Sequence, residues 1–125
     1  MKPNNTKTTA LDLEIRLIEF ASRIIDLVEA LPKRPTGKHL GGQLLRSGTS
    51  PALNYGEAQS AESREDFIHK MKICTKELRE TLICLKIISR RTWFKFEKLT
   101  PLLMESNELV AIFVASTKTA SSKKS

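Results

Sequence analysis

Residues 43–63 read QLLRSGTSPALNYGEAQSAES, and the fold turns on whether this stretch is a loop or a helix. Leu44, Leu45 and Arg46 open it as a helix. Gly48, Thr49, Ser50 and Pro51 are residues that normally end one. Ala52, Leu53, Ala58 and Ala61 then restore helical character. An unstructured connection of more than about twelve residues is uncommon inside a small domain. One helix over about residues 37–61 avoids it. In that helix Pro51 removes the hydrogen bond to the Ser47 carbonyl and is expected to kink the chain, with Ser47 or Ser50 available to satisfy the freed group.

The helix would be thin. Gly41, Gly42, Ser47, Gly48, Ser50, Ala52, Gly56, Ala58 and Ala61 carry little bulk, so another backbone can approach closely, either within the bundle or from a second subunit. Arg46, Ser47, Pro51, Asn54 and Glu57 make the same segment a structural motif or an oligomer interface. A buried Arg–Glu pair there would be costly unless fully hydrogen-bonded, and would fix register rather than perform chemistry.

Outward from this segment, three more amphipathic stretches appear. Thr8 or Thr9 can cap a first helix ending near Leu31, whose apolar stripe is Leu13, Leu17, Phe20, Ala21, Ile24, Leu27, Val28 and Leu31. Pro32, Pro35 and Gly37 interrupt it, and the second helix is expected to begin between Thr36 and His39. Ser63 and Asp66 form a capping pattern for a third helix reaching about Arg91. A fourth helix is expected to start between Glu97 and Pro101, with Thr100–Pro101 a natural cap and first position, and to fade near Lys118. The economical solution is all-α: an antiparallel up-down four-helix bundle with a Pro-kinked second helix. It is expected to span residues 9–118, with disordered tails at 1–8 and 119–125.

The third helix carries the functional signal. Phe67, Met71, Cys74, Leu78, Leu82 and Leu85 share a core face, while Ile73, Cys84 and Ile87, with Glu77 nearby, fall on the far side. A second apolar stripe suggests a subunit interface. Between the stripes, Lys72, Lys76, Arg79, Lys86 and Arg90 form a ridge of one sign, suited either to tracking phosphates or to a solvated edge. The formal net charge of +7 and pI near 9.7 favour an anionic partner, RNA or DNA above others. Thr92–Phe96, TWFKF, reads as a core plug at a helix junction or as an aromatic-basic stacking site.

Several classes are disfavoured. No run of about eighteen apolar residues suggests a membrane span, and no apolar leader follows Met1, so a cytoplasmic location without membrane contact is expected. Cys74 and Cys84 are ten residues apart on one helix, too far for a mutual disulfide. With His39 and His69 they form no zinc spacing, so no metal or cofactor is expected. Glu57, Glu77 and His69 fall in no catalytic motif, and no phosphate-binding glycine loop occurs; the chain reads as a non-enzyme.

The block QLLRSGTSPALNYGEAQSAESREDFIHKMKICTKELRETL resembles the central signature of the 23S rRNA intervening-sequence, or Avd-like, four-helix bundle proteins. The matching elements are Gln43–Ser47, Ser50–Pro51 with Asn54, Glu57, Ser63 with Asp66–Phe67, and Lys76–Leu78 with Glu80. Where the family often has Tyr-Trp-Leu, this chain has Leu82–Leu85. The resemblance covers about residues 11–120. It implies a four-helix bundle assembled as a ring-like homopentamer, not an enzyme. For Avd relatives it also implies a reverse transcriptase partner and nucleic-acid association through a basic surface. The residues alone leave two functions open: a nucleic-acid scaffold, or a protein-interaction adaptor.

Overall fold

The computed structural model describes residues 9–123. It contains four helices in succession: α1 (Ala10–Ala30), α2 (Pro35–Gln59), α3 (Arg64–Ser89) and α4 (Phe96–Ser122). Links of four, four and six residues join them, too short for anything but antiparallel neighbours. Packing is most extensive between α2 and α3, then α3 and α4, then α1 and α2; α1 and α4 touch least. The expected tail at 1–8 lies outside the described residues.

Local chemistry sets the helix starts. Thr9 caps α1 with a complete capping box: its hydroxyl accepts from the Asp12 amide at 3.0 Å, and the Asp12 carboxylate accepts from the Thr9 amide. Ser63 accepts from the Asp66 amide at 3.0 Å to start α3. Pro35 occupies the first position of α2, where its missing N–H costs nothing. The start of α4 falls one residue before the expected window of Glu97 to Pro101. It lies at Phe96, with Lys95 at the cap, and Pro101 falls inside the helix. The Thr100 hydroxyl donates back to the Phe96 carbonyl at 3.0 Å and so belongs to an existing turn rather than capping a new one. The same helix runs to Ser122, four residues past the expected end at Lys118.

The opening stretch is helix as far as Gln59. Residues 43–59 lie within α2, with Pro51 buried in its middle. The two serines expected to compensate for Pro51 are engaged elsewhere: Ser47 Oγ accepts from Thr81 at 2.9 Å, and Ser50 Oγ from Asn54 at 2.8 Å. The thinness of α2 serves packing inside the bundle on one side. A Cβ on Gly48 would lie 2.7 Å from Ile24 Cγ2, and one on Gly41 would lie 3.3 Å from a Leu31 methyl. On the other side, Gly42 and Gly56 meet nothing within 4 Å.

The core runs the length of the bundle. Phe20, Ile24, Leu44, Met71, Leu78, Leu85, Leu99, Leu109 and Phe113 are all nearly or fully buried. Tyr55 meets Phe113 edge-to-face at 5.6 Å between ring centres. Where α1 and α4 barely touch, Arg16 ties them, binding Glu105 through both Nε and Nη2 at 2.9 and 2.7 Å and reaching Glu108 as well. The hydrogen bonds to Glu105 outweigh burial and hold the Arg16 guanidinium above its ordinary value. By length and composition α4 alone among the described helices is apolar enough to cross a membrane. Its Leu99, Leu102, Leu109 and Phe113 are instead buried within the bundle.

Candidate functional site

The residues singled out on α2 meet α3 along one seam. Arg46 donates to Glu77 at 2.7 Å and to Glu80 at 2.8 Å, with Gln43 at 3.3 Å. Glu77 is nearly buried, whereas the Arg46 side chain stays half in solvent, so the pair avoids the full cost of burying two charges. The hydrogen bond from Arg46 lowers the Glu80 carboxyl below the usual range. Beneath this pair, Thr81 joins Ser47, and the Cys74 thiol donates to the Pro51 carbonyl at 3.6 Å. Glu57 binds Lys70 at 2.9 Å, apart from Arg46. Arg46, Ser47, Pro51 and Glu77 therefore join α2 to α3 within one chain. Asn54 bonds back to Ser50 of its own helix.

The seam offers little to acid–base chemistry. Glu57 and Glu77 are each ion-paired, with different cations. No group of three metal-ligating side chains lies together among the described residues. Cys74 is fully buried, and burial pushes its thiol up to about 12. The folded chain therefore keeps a proton that the unfolded chain releases above the ordinary thiol value. Stability from this source is complete below about pH 9 and lost as pH rises toward about 12. Urea unfolding at pH 8 and pH 10 should show that loss, and Cys74→Ala should reduce it.

The outer face of α3 is different. Lys72, Lys76, Arg79, Lys86 and Arg90 are all exposed, and none forms an ion pair with a described residue. At 1.5 Å per residue the row is about 27 Å long. Two expectations for this helix need correction. Cys84 is buried in the core cluster, and Ile73 is half-buried, so neither belongs to an outer apolar stripe. Leu82, expected in the core, is only half-buried, Phe67 is half-buried but packs against the core as expected, and Ile68, Thr81 and Ile88 are buried. The buried arc is wide because α3 packs against both α2 and α4.

The apolar residues that do face out are Ile83 and Ile87, 55% and 45% exposed. They sit within the cationic row rather than opposite it. Ile83 escaped the sequence reading although it lies four residues from both Arg79 and Ile87. Together with Leu40 and Val114 they line a groove of about 950 Å³ between α2, α3 and α4, rimmed by Lys72, Lys76 and Arg79. A second exposed stripe was also missed: Leu11, Ile15, Ile18 and Ile25 of α1, on the side away from its core residues. Their spacing of four, three and seven is visible in the sequence, but intervening Asp12, Glu14 and Glu19 make that face read as polar.

Comparison with known proteins fits this arrangement. The model of the 23S rRNA-intervening sequence protein family matches residues 11–115, all four helices included. The chain belongs to that family. A solved structure described as a protein of unknown function from the S23 ribosomal protein family of Bacteroides thetaiotaomicron VPI-5482 is similar, with 33% identity and a TM-score of 0.79. The match covers 85% of this chain and 98% of that one. No curated protein matches significantly. For this intervening-sequence family member, the comparisons indicate no catalytic family, and the fold expected from the resemblance is the fold observed.

Proposed function

We propose that the chain is a non-catalytic, cytoplasmic scaffold that assembles as a homo-oligomer and holds RNA or DNA electrostatically on the outer face of α3. The observation carrying this reading is the row of five exposed, unpaired cations from Lys72 to Arg90. Arg16 and Arg46, which tie helices together, sit beside carboxylates, whereas this row gathers charge of one sign on a single helix face. A row left open is matched to charge supplied from outside. Assembly is supported by the exposed apolar stripe of α1, which a monomer would leave in water. A pentamer, the state the family resemblance implies, would repeat one weak basic patch around a ring and gain avidity without new contacts. A nucleic-acid enzyme such as a reverse transcriptase is the kind of protein such a scaffold would serve.

A specific observation favours a second reading. The groove floor of Leu40, Ile83, Ile87 and Val114 suits the apolar face of an acidic amphipathic helix, which would make the protein an adaptor. Fluorescence anisotropy with a structured RNA and a duplex DNA separates the two, with light scattering on the same sample for the assembly. The scaffold reading expects an oligomer binding at micromolar concentration or below. Joint Lys72→Ala, Lys76→Ala and Arg79→Ala substitution should weaken binding at least about tenfold. A well-formed oligomer that binds neither nucleic acid would leave the adaptor; a monomer would remove the assembly.

A further inference from the structure

The up-down topology brings the α1–α2 and α3–α4 links to one end of the bundle. The sequence segments meeting there, 27–38 and 86–98, contain eight Lys and Arg against two carboxylates, Glu29 and Glu97. Their net +6 is most of the formal +7 of the whole chain. All eight cations are exposed, and none is ion-paired with a described residue. This end of the bundle is strongly cationic.

The same end carries aromatic rings. Phe96, the first residue of α4, is 63% exposed. Trp93 and Phe94 are half-buried, packed against the core on one side. The Arg91 guanidinium lies 5.9 Å from the centre of the Trp93 ring. The link is thus partly the expected core plug, but Phe96 takes no part in the plug. Phe96 lies between Lys95 and Lys98 in sequence, on the heels of the link that holds Trp93 and Arg91, and borders Arg23, Glu97 and Met104; the segment combines stacking surfaces with phosphate-binding charge.

We infer that this end of the bundle is a binding face for single-stranded nucleic acid. Phe96 and Trp93 stack on bases while Arg90, Arg91, Lys95 and the cations of the α1–α2 link hold the phosphates. The inference rests on the nucleic-acid reading above and moves its centre from the flank of α3 to the pole where that flank ends. A duplex keeps its base faces stacked inside, so it can use the charge but not the rings. An anionic membrane would also suit cations mixed with aromatics. However, the cationic row turns the corner at Arg90 and continues along α3 through Lys86 to Lys72, a path a flexible polyanion can follow and a flat bilayer cannot.

The test uses the full chain and its single tryptophan, Trp93. It is titrated at low salt with uridine and thymidine single strands of about twelve nucleotides and a duplex of equal length. Lipid vesicles containing phosphatidylserine form a separate arm. Single strands should quench Trp93 saturably and bind more tightly than duplex. Phe96→Ala, at an exposed helix end where folding is spared, should weaken single-strand binding about tenfold and leave duplex binding unchanged. Joint Arg90→Ala and Arg91→Ala substitution should weaken both. The uridine and thymidine arms tell RNA from DNA as the preferred strand. Binding with unchanged Trp93 emission and a silent Phe96→Ala would overturn the pole while leaving the scaffold on α3. Binding to vesicles but not to oligonucleotides, or to neither, would overturn both.

Discussion

Phe113→Ala is expected to lower the free energy of unfolding by about 3–5 kcal/mol, the range for removing a buried aromatic ring. Phe113 is fully buried on α4 and is the edge-to-face partner of Tyr55 on α2. Truncation removes the transfer energy of the ring, leaves a cavity among fully buried neighbours, and strips Tyr55 of its contact. With total stabilities of about 5–15 kcal/mol for domains generally, such a loss is a large share of the whole. Urea denaturation followed by circular dichroism measures it. A loss below about 1 kcal/mol would mean that the helices repack easily, contrary to the close packing described here.

Gly37→Ala is expected to cost about 3 kcal/mol, at the upper end of overpacking effects. A Cβ at position 37 would lie 2.0 Å from the Pro32 carbonyl oxygen and 3.0 Å from its carbon. Both are backbone atoms of the tight α1–α2 link, so relief requires moving the link itself. Gly42 supplies the contrast on the same helix. Nothing lies within 4 Å of its added Cβ, so Gly42→Ala should stabilise the monomer by about 0.5–1 kcal/mol through the lower backbone entropy cost of alanine. Opposite signs at two glycines five residues apart would establish that α2 is thin for packing on one side only. A destabilising Gly42→Ala would instead indicate a neighbouring chain pressed against that face.

Much of the fold was legible because it depends on local chemistry. The Thr9 and Ser63 caps are one-residue signals with a defined partner three positions on. The continuity of α2 through Pro51 followed from the implausibility of the alternative loop. The start of α4 could be bounded only to Glu97–Pro101 because Thr100–Pro101 imitates a cap, and the observed turn from Phe96 to Thr100 shows that the helix had already begun. The cationic residues of α3 could be named from their spacing, but their relation to Ile83 and Ile87 could not. The width of the buried arc on α3 depends on how many helices pack against it. The charged pole was least legible of all. Residues 27–38 and 86–98 are about fifty positions apart, and neither looks exceptional alone. Only the up-down topology adds their charges together.

The most direct measurement of the central claim is the salt dependence of oligonucleotide binding by the unmodified protein. Anisotropy titrations across a series from low to physiological ionic strength are expected to give an affinity that falls linearly on logarithmic axes. The slope should correspond to several phosphate contacts, roughly 0.7–0.9 per contact depending on the strand form. An affinity indifferent to salt, or no binding at the lowest ionic strength, would contradict the claim that the open cations exist to meet nucleic acid.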